Sequence, residues 1–316
     1  MSNTALYGIG GFGINIARQI ERQKIIDTVH VSDTVKENLS GFKSLYAFKD
    51  LVMRGNGRSA STNVVPMRQE ISALNNAIPP KDYNIVVASL SGGTGPSLAP
   101  IMINSQLEQN PDRKYFVLAV VGTEMLSDID NAVQALARYK KIAESHNNVC
   151  IRIYFNAKDV SHGAVNKSVI EDITLLQMIL SGQFVSPDDG DISTWINPSR
   201  LRVASDLAGQ LLYLDIKNDT AVVDKFTDVV SMITTYKNRE RVPMEITPYF
   251  NLQAEVPDTL IGKDVKEALN THYMQRIGVV DATIDRIVKM REDMRRKIGA
   301  THRPAAQNYV DEDNIL

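Results

Sequence analysis

The chain has 316 residues, of which 43% are hydrophobic and 23% charged, and its formal net charge is -2. That length supplies one large or two ordinary domains with a buried core, and the near-neutral balance gives no overall positive field for nucleic acid or an anionic membrane. Cys150 is the single cysteine, which excludes a disulfide framework and a thiolate metal cluster, and the five histidines are too scattered for metal-ligand spacing.

The N-terminus has no basic n-region and no long apolar h-region, so no signal peptide is expected. Apolar runs such as Tyr115 to Gly122 are too short to span a bilayer. A soluble protein of a reducing cytoplasm is the expectation, with no membrane partner.

The first strand is predicted at Ala5–Ile9, followed by Gly8-Ile9-Gly10-Gly11-Phe12-Gly13 and a helix over Asn15–Gln23. Glycines at that place let backbone N–H groups approach an anion at the helix N-terminus. With Asp33 closing the next strand, Thr28–Ser32, the pattern also satisfies a dinucleotide-binding unit whose acid holds a ribose hydroxyl. The loop thus points to phosphate and leaves NAD open.

Strand Asn84–Leu90 leads into a second glycine loop, Ser89-Leu90-Ser91-Gly92-Gly93-Thr94-Gly95-Pro96-Ser97, and a helix over Leu98–Glu108. A dinucleotide domain has no need of this loop, whereas a nucleoside di- or triphosphate held between two helix N-termini does. Neither loop carries the Gly-Lys-Ser/Thr ending of a Walker motif. Strand Tyr115–Val121, helix Asp128–Ser145 and strand Asn148–Phe155 complete an alternation that predicts a doubly wound parallel sheet.

A helical stripe of Val169, Ile173, Leu176 and Leu180 follows over 165–180, then a loop, Ser181–Ser199, containing Asp188-Asp189-Gly190-Asp191. That loop reads either as a solvated turn or as an acidic functional loop. A strand (Leu211–Ile216), a helix (Ala221–Tyr236) and a strand (Glu245–Leu252) are predicted next, as a smaller α/β domain beginning near Leu201. Ile284–Ile298 reads as an amphipathic helix with a charged outer face of Lys289, Arg291, Arg295, Arg296 and Lys297, ahead of a polar tail ending in Asp311-Glu312-Asp313. The predicted divisions are 1–164, 165–200, 201–275, 276–300 and 301–316.

The order of these loops resembles the tubulin/FtsZ superfamily, closest to its phage-encoded, PhuZ-like branch. Gly92-Gly93-Thr94-Gly95 is similar to that family's signature loop, with Ser91 in place of the first glycine and Pro96-Ser97 altering the end. The resemblance implies a GTP-binding domain, a central helix, a smaller α/β domain and a C-terminal helix with an extended tail. It implies nucleotide contacts at Gly10, Gly11, Phe12, Asn15, Asp33, Gly57, Ser91, Gly92, Gly93, Thr94, Gly95, Asp128 and Asn156. His162 or Asn166 would contact the base.

The cofactors so implied are GTP/GDP and Mg²⁺. Asp188 and Asp191 would complete catalysis on the nucleotide of a neighbouring subunit in a head-to-tail filament, and the acidic tail would make further contacts between subunits. The implied role is a polymerising GTPase that positions phage DNA or its compartment in an infected bacterium. Two other readings stay open: a nicotinamide-dependent oxidoreductase using the first loop and Asp33, and a scaffold that holds nucleotide without turnover.

Overall fold

Strand β1 (Thr4–Ile9) is buried along its whole length and runs directly into helix α1 (Gly10–Gln23). These belong to a computed structural model that describes residues 3–53, 56, 59–156, 161–182, 187–218, 220–236, 245–256 and 270–301. After α1 come β2 (Thr28–Asp33), β3 (Leu45–Ala47), α2 (Val64–Gln69), α3 (Ile71–Ala77), β4 (Tyr83–Ser89), α4 (Gly95–Gln109), β5 (Lys114–Gly122), α5 (Leu126–Ser145) and β6 (Val149–Asn156). All six strands pair in parallel, in the order β3-β2-β1-β4-β5-β6.

The continuous apolar runs in these strands are explained by two cores, one on each face of the sheet. Along β4, Val86 and Ala88 join Met102 of α4 and Tyr139 of α5 on one face. Ile85 and Val87 join Ile16 of α1 on the other, where the stripe Val169, Ile173, Leu176 and Leu180 of α6 (His162–Leu180) also packs. The period-3.6 pattern along 165–180 therefore marks the buried face of a central helix.

The second half continues the same ten-stranded sheet. Helix α7 (Asp189–Ile196) and two short 3₁₀ turns lead to β7 (Leu212–Lys217), α8 (Thr220–Val223), β8 (Val229–Tyr236), β9 (Phe250–Glu255), β10 (His272–Arg276) and α9 (Val279–Thr301). β7 joins β6 through only two paired positions, Cys150 with Leu212 and Ile151 with Tyr213. β10 lies antiparallel between β7 and β8.

A buried ion network crosses that narrow seam. Arg152 Nη1 of β6 donates to Asp215 of β7 at 2.8 Å, and its Nε lies 2.5 Å from Asp172 of α6, outside hydrogen-bonding geometry. Arg276 of β10 bridges Asp215 and Asp228 at 2.9 and 3.0 Å.

Ala221–Tyr236 is not one helix: only Thr220–Val223 is helical, and Val229–Tyr236 is a strand. Its Val229, Val230, Ile233, Thr234 and Thr235 are β-branched and suit the pleated sheet better than a helix. The strand expected from Glu245 begins at Phe250 and runs to Glu255. Ser181–Ser199 is not loop throughout, because Ile192, Trp195 and Ile196 bury one face of α7. Arg291 does not stand on the outer face of α9; it and Arg295 approach Asp130 of α5 at 3.5 and 3.6 Å. The tail beyond residue 301 lies outside the described residues.

Candidate functional site

Both glycine loops close over one cleft of about 180 Å³, lined by Ile9, Gly10, Gly11, Phe12, Asp33, Val35, Ser89, Gly92, Gly93, Thr94 and Gly95. The cleft lies at the C-terminal ends of β1, β2 and β4, the usual crevice for ligands in an open α/β sheet. Helices α1 and α4 begin at this cleft with no acidic residue in the first turn and no side chain capping their N-termini. Two uncapped N-termini bring free N–H groups and the positive ends of two helix dipoles to one place, which suits an anion.

The glycines divide by physical cause. Gly10 takes φ +70°, and a Cβ at Gly95 would stand 2.3 Å from Ser89 O, so the chain itself requires glycine at both. A Cβ at Gly92 would meet nothing within 4 Å, and one at Gly11 only Asn38 Nδ2 at 3.8 Å. Packing does not demand glycine there. The space a Cβ would take is open at both.

Polar side chains bind the loops into one unit. Asp33 accepts from the Thr34 N–H (2.7 Å) and Thr94 Oγ1 (2.9 Å) on one oxygen, and from Asn38 Nδ2 (2.6 Å) on the other. This carboxylate is therefore a clasp between the loop after β2 and the glycine loop, which directs it away from the ribose role. Ser91 lies beneath the cleft, where its hydroxyl accepts from the Gly122 N–H at 2.7 Å. Asp128, 9% exposed, comes close to Gly122.

Sequence reading missed Asn131 of α5, which donates to Ser91 O and Gly92 O, each at 3.2 Å. It gave no role of its own to Asn56, which donates to Gly93 O at 2.8 Å. An asparagine inside a helix carries no spacing signal, and only its burial at 6% exposure reveals a role for Asn131.

The remaining candidates lie farther out. Asn15 is an exposed residue of α1, and Asn156 ends β6. Asn166 lines a second cleft of about 780 Å³ between α1 and α6, together with Gln19, Gln23 and Arg152. His162 begins α6, but its side chain and Gly57 lie outside the described residues.

Asp188 and Asp191 are not brought to the glycine cleft. They form the reciprocal capping box of α7: the Asp191 N–H donates to Asp188 Oδ1 at 2.8 Å, and the Asp188 N–H to Asp191 Oδ2 at 3.1 Å. Asp189 accepts from the hydroxyl of Tyr83, the first residue of β4, whereas the glycine loop leaves the last residue, Ser89. Six strand steps of about 3.3 Å put the acidic turn and the cleft roughly 20 Å apart, on opposite edges of the sheet.

Comparison with known proteins fits this architecture. The phage tubulin-like protein of Pseudomonas phage 201phi2-1 is 25% identical over 315 residues, covering 97% of this chain and 96% of that protein. The chain is similar in sequence to phage tubulin-like proteins. The one from Pseudomonas phage PhiPA3 is 24% identical over 248 residues, 78% of this chain and 76% of that protein. Among solved structures, the phage tubulin PhuZ with GDP superposes with a TM-score of 0.83 at 20% identity, covering 100% of both chains. The TubZ protofilament from bacteriophage PhiKZ gives 0.81 at 18% identity, over 100% of this chain and 98% of that one. No family model matches the chain. Among the described residues of the tubulin-like chain no helix is long and apolar enough to cross a membrane, and no group of His, Cys, Asp or Glu forms a metal cage.

Proposed function

We propose that the protein is a GTPase that polymerises head to tail and hydrolyses GTP where two subunits meet. One observation carries the reading: the anion cradle and the exposed acidic turn stand on opposite edges of one sheet, so a single chain cannot join them and a second copy stacked along β4 can.

The free N–H groups of α1 and α4 and the bare faces of Gly11 and Gly92 fit a di- or triphosphate. Asn15 and Asn166 are the proposed base contacts, and Asp128 and Asn156 border the nucleotide. Mg²⁺ would neutralise phosphate charge, held mainly by phosphate oxygens and water. Asp188 or Asp191 of the adjoining copy orients the attacking water, while the glycine-loop N–H groups stabilise charge developing on the phosphates.

Because a monomer holds half of the site, turnover requires assembly, and filament lifetime follows nucleotide state. By the family resemblance, such filaments would position viral DNA or its compartment in the host cytoplasm; imaging the labelled protein during infection tests that role. The acidic tail is assigned to contacts between subunits.

The first experiment is to denature the purified protein and identify the nucleotide released. Guanine nucleotide supports the proposal, and NAD would establish the oxidoreductase reading instead. GTP-dependent light scattering with phosphate release then separates a polymerising GTPase from a scaffold that only holds nucleotide.

A further inference from the structure

The glycine loop presents its N–H groups only if its peptide planes are turned the right way. In a trans peptide the carbonyl of one residue and the N–H of the next point in opposite directions. Fixing the carbonyls of Ser91, Gly92 and Gly93 on one side therefore aims the N–H groups of Gly92, Gly93 and Thr94 to the other.

Two buried amides hold those carbonyls. Asn131 Nδ2 donates to Ser91 O and Gly92 O, and Asn56 Nδ2 to Gly93 O. The opposite end of each amide is occupied as well: Asn131 Oδ1 accepts from the Ala60 N–H at 3.3 Å, and Asn56 Oδ1 from Asn63 Nδ2. With their oxygens so engaged, both NH₂ groups must face the glycine loop. Asn63 is anchored in turn, accepting from the Val52 and Met53 N–H groups at 2.8 and 3.2 Å. Asn56 is fully buried at φ 52°, a conformation asparagine tolerates better than most residues. No protein acceptor takes the N–H of Gly92, Gly93 or Thr94 among the described residues, and all three residues line the cleft.

We propose that Asn131 and Asn56 are positioning residues that turn three successive glycine-loop N–H groups toward a bound polyphosphate. The inference rests on the guanine-nucleotide reading for the identity of the ligand, but its logic concerns the phosphates alone. Both amides are also tied to the segment holding Asn56, Ala60 and Asn63, so that segment and the cradle are set together.

The test uses the full chain carrying Asn131→Asp or Asn56→Asp, which keep side-chain volume but replace the donor with an oxygen that repels the loop carbonyls. Binding of GDP and inorganic pyrophosphate is measured by calorimetry, and that of guanosine by ligand-observed NMR. Each variant is expected to lose at least about tenfold in affinity for GDP and pyrophosphate, since the charge-assisted bonds from misaligned N–H groups are weakened. Guanosine should bind as before, a split that a merely structural role would not give. Unchanged GDP and pyrophosphate affinity in a folded variant overturns the proposal, as does an equal loss for guanosine. If neither aspartate variant folds, Asn131→Ser is measured in the same way, and its failure to fold would overturn the proposal by assigning the amide to folding. A parent protein that binds pyrophosphate but not GDP sinks the guanine reading and leaves the pyrophosphate comparison to decide this one.

Discussion

A Cβ built on Gly92 meets nothing within 4 Å, whereas one on Gly95 meets Ser89 O at 2.3 Å. Gly92→Ala therefore leaves the free protein as stable as the parent, or more stable by about 0.4–1 kcal/mol through the smaller entropy of its unfolded chain. Gly95→Ala must displace backbone and is expected to cost about 1–3 kcal/mol or more. The order reverses for ligand. On the proposed reading a methyl at Gly92 projects into the space of a phosphate, so GDP affinity should fall sharply.

At a GDP concentration of about 100 times the parent Kd, binding stabilises the parent by about 2.7 kcal/mol; a variant binding ~100-fold more weakly keeps only about 0.4 kcal/mol. For a chain of 316 residues the parent's gain corresponds to a melting shift of about 4 °C. The assay is a thermal melt of each protein with and without GDP. A Gly92→Ala protein that melts normally yet keeps the full GDP shift would refute the argument that a ligand claims this glycine. So would a Gly95→Ala protein as stable as the parent.

Other perturbations probe the remaining parts. Asp191→Asn keeps an acceptor for the α7 cap while removing the charge, so it should assemble with GTP but hydrolyse it far more slowly; ordinary phosphate release from its filaments would remove the carboxylate from the mechanism. Deleting residues 301–316 should raise the critical concentration seen by light scattering, and an unchanged threshold would make the tail a passenger.

Arg152→Met strips the partner from Asp172, whose pKa burial raises and Arg152 opposes, at a cost of about 3–5 kcal/mol for breaking a buried pair. Without Arg152 the Asp172 pKa rises further. The loss should be largest above that raised pKa and shrink as pH falls through it, since a protonated carboxyl needs no cation. Melts followed from pH 8 down to the acid limit of folding that show the same loss throughout would contradict this account.

Much of the architecture was legible because it follows from local rules. Glycine runs placed directly between a strand and a helix marked the C-terminal edges of β1 and β4, and Val169, Ile173, Leu176 and Leu180 marked the buried stripe of α6. Where local pattern and tertiary context competed, reading the chain failed. Val229–Tyr236 passes for a helix by apolar content and becomes a strand because β10 and β9 offer edges on both sides. Helix α7 hides in a loop-like stretch because its apolar face is only Ile192, Trp195 and Ile196, stabilised by contact with the sheet.

The sequence alone determined that two glycine loops stand between a strand and a helix, since that placement has a local cause. It could not determine how those loops are oriented, because Asn131 lies 39 residues from Gly92 and Asn56 lies 37 from Gly93, and such bonds form only after the chain has folded. Nor could it place Asp188 and Asp191. Their spacing is satisfied by a helix cap, and only the direction of β4 puts that cap on the far edge of the sheet, out of reach of the chain's own cleft.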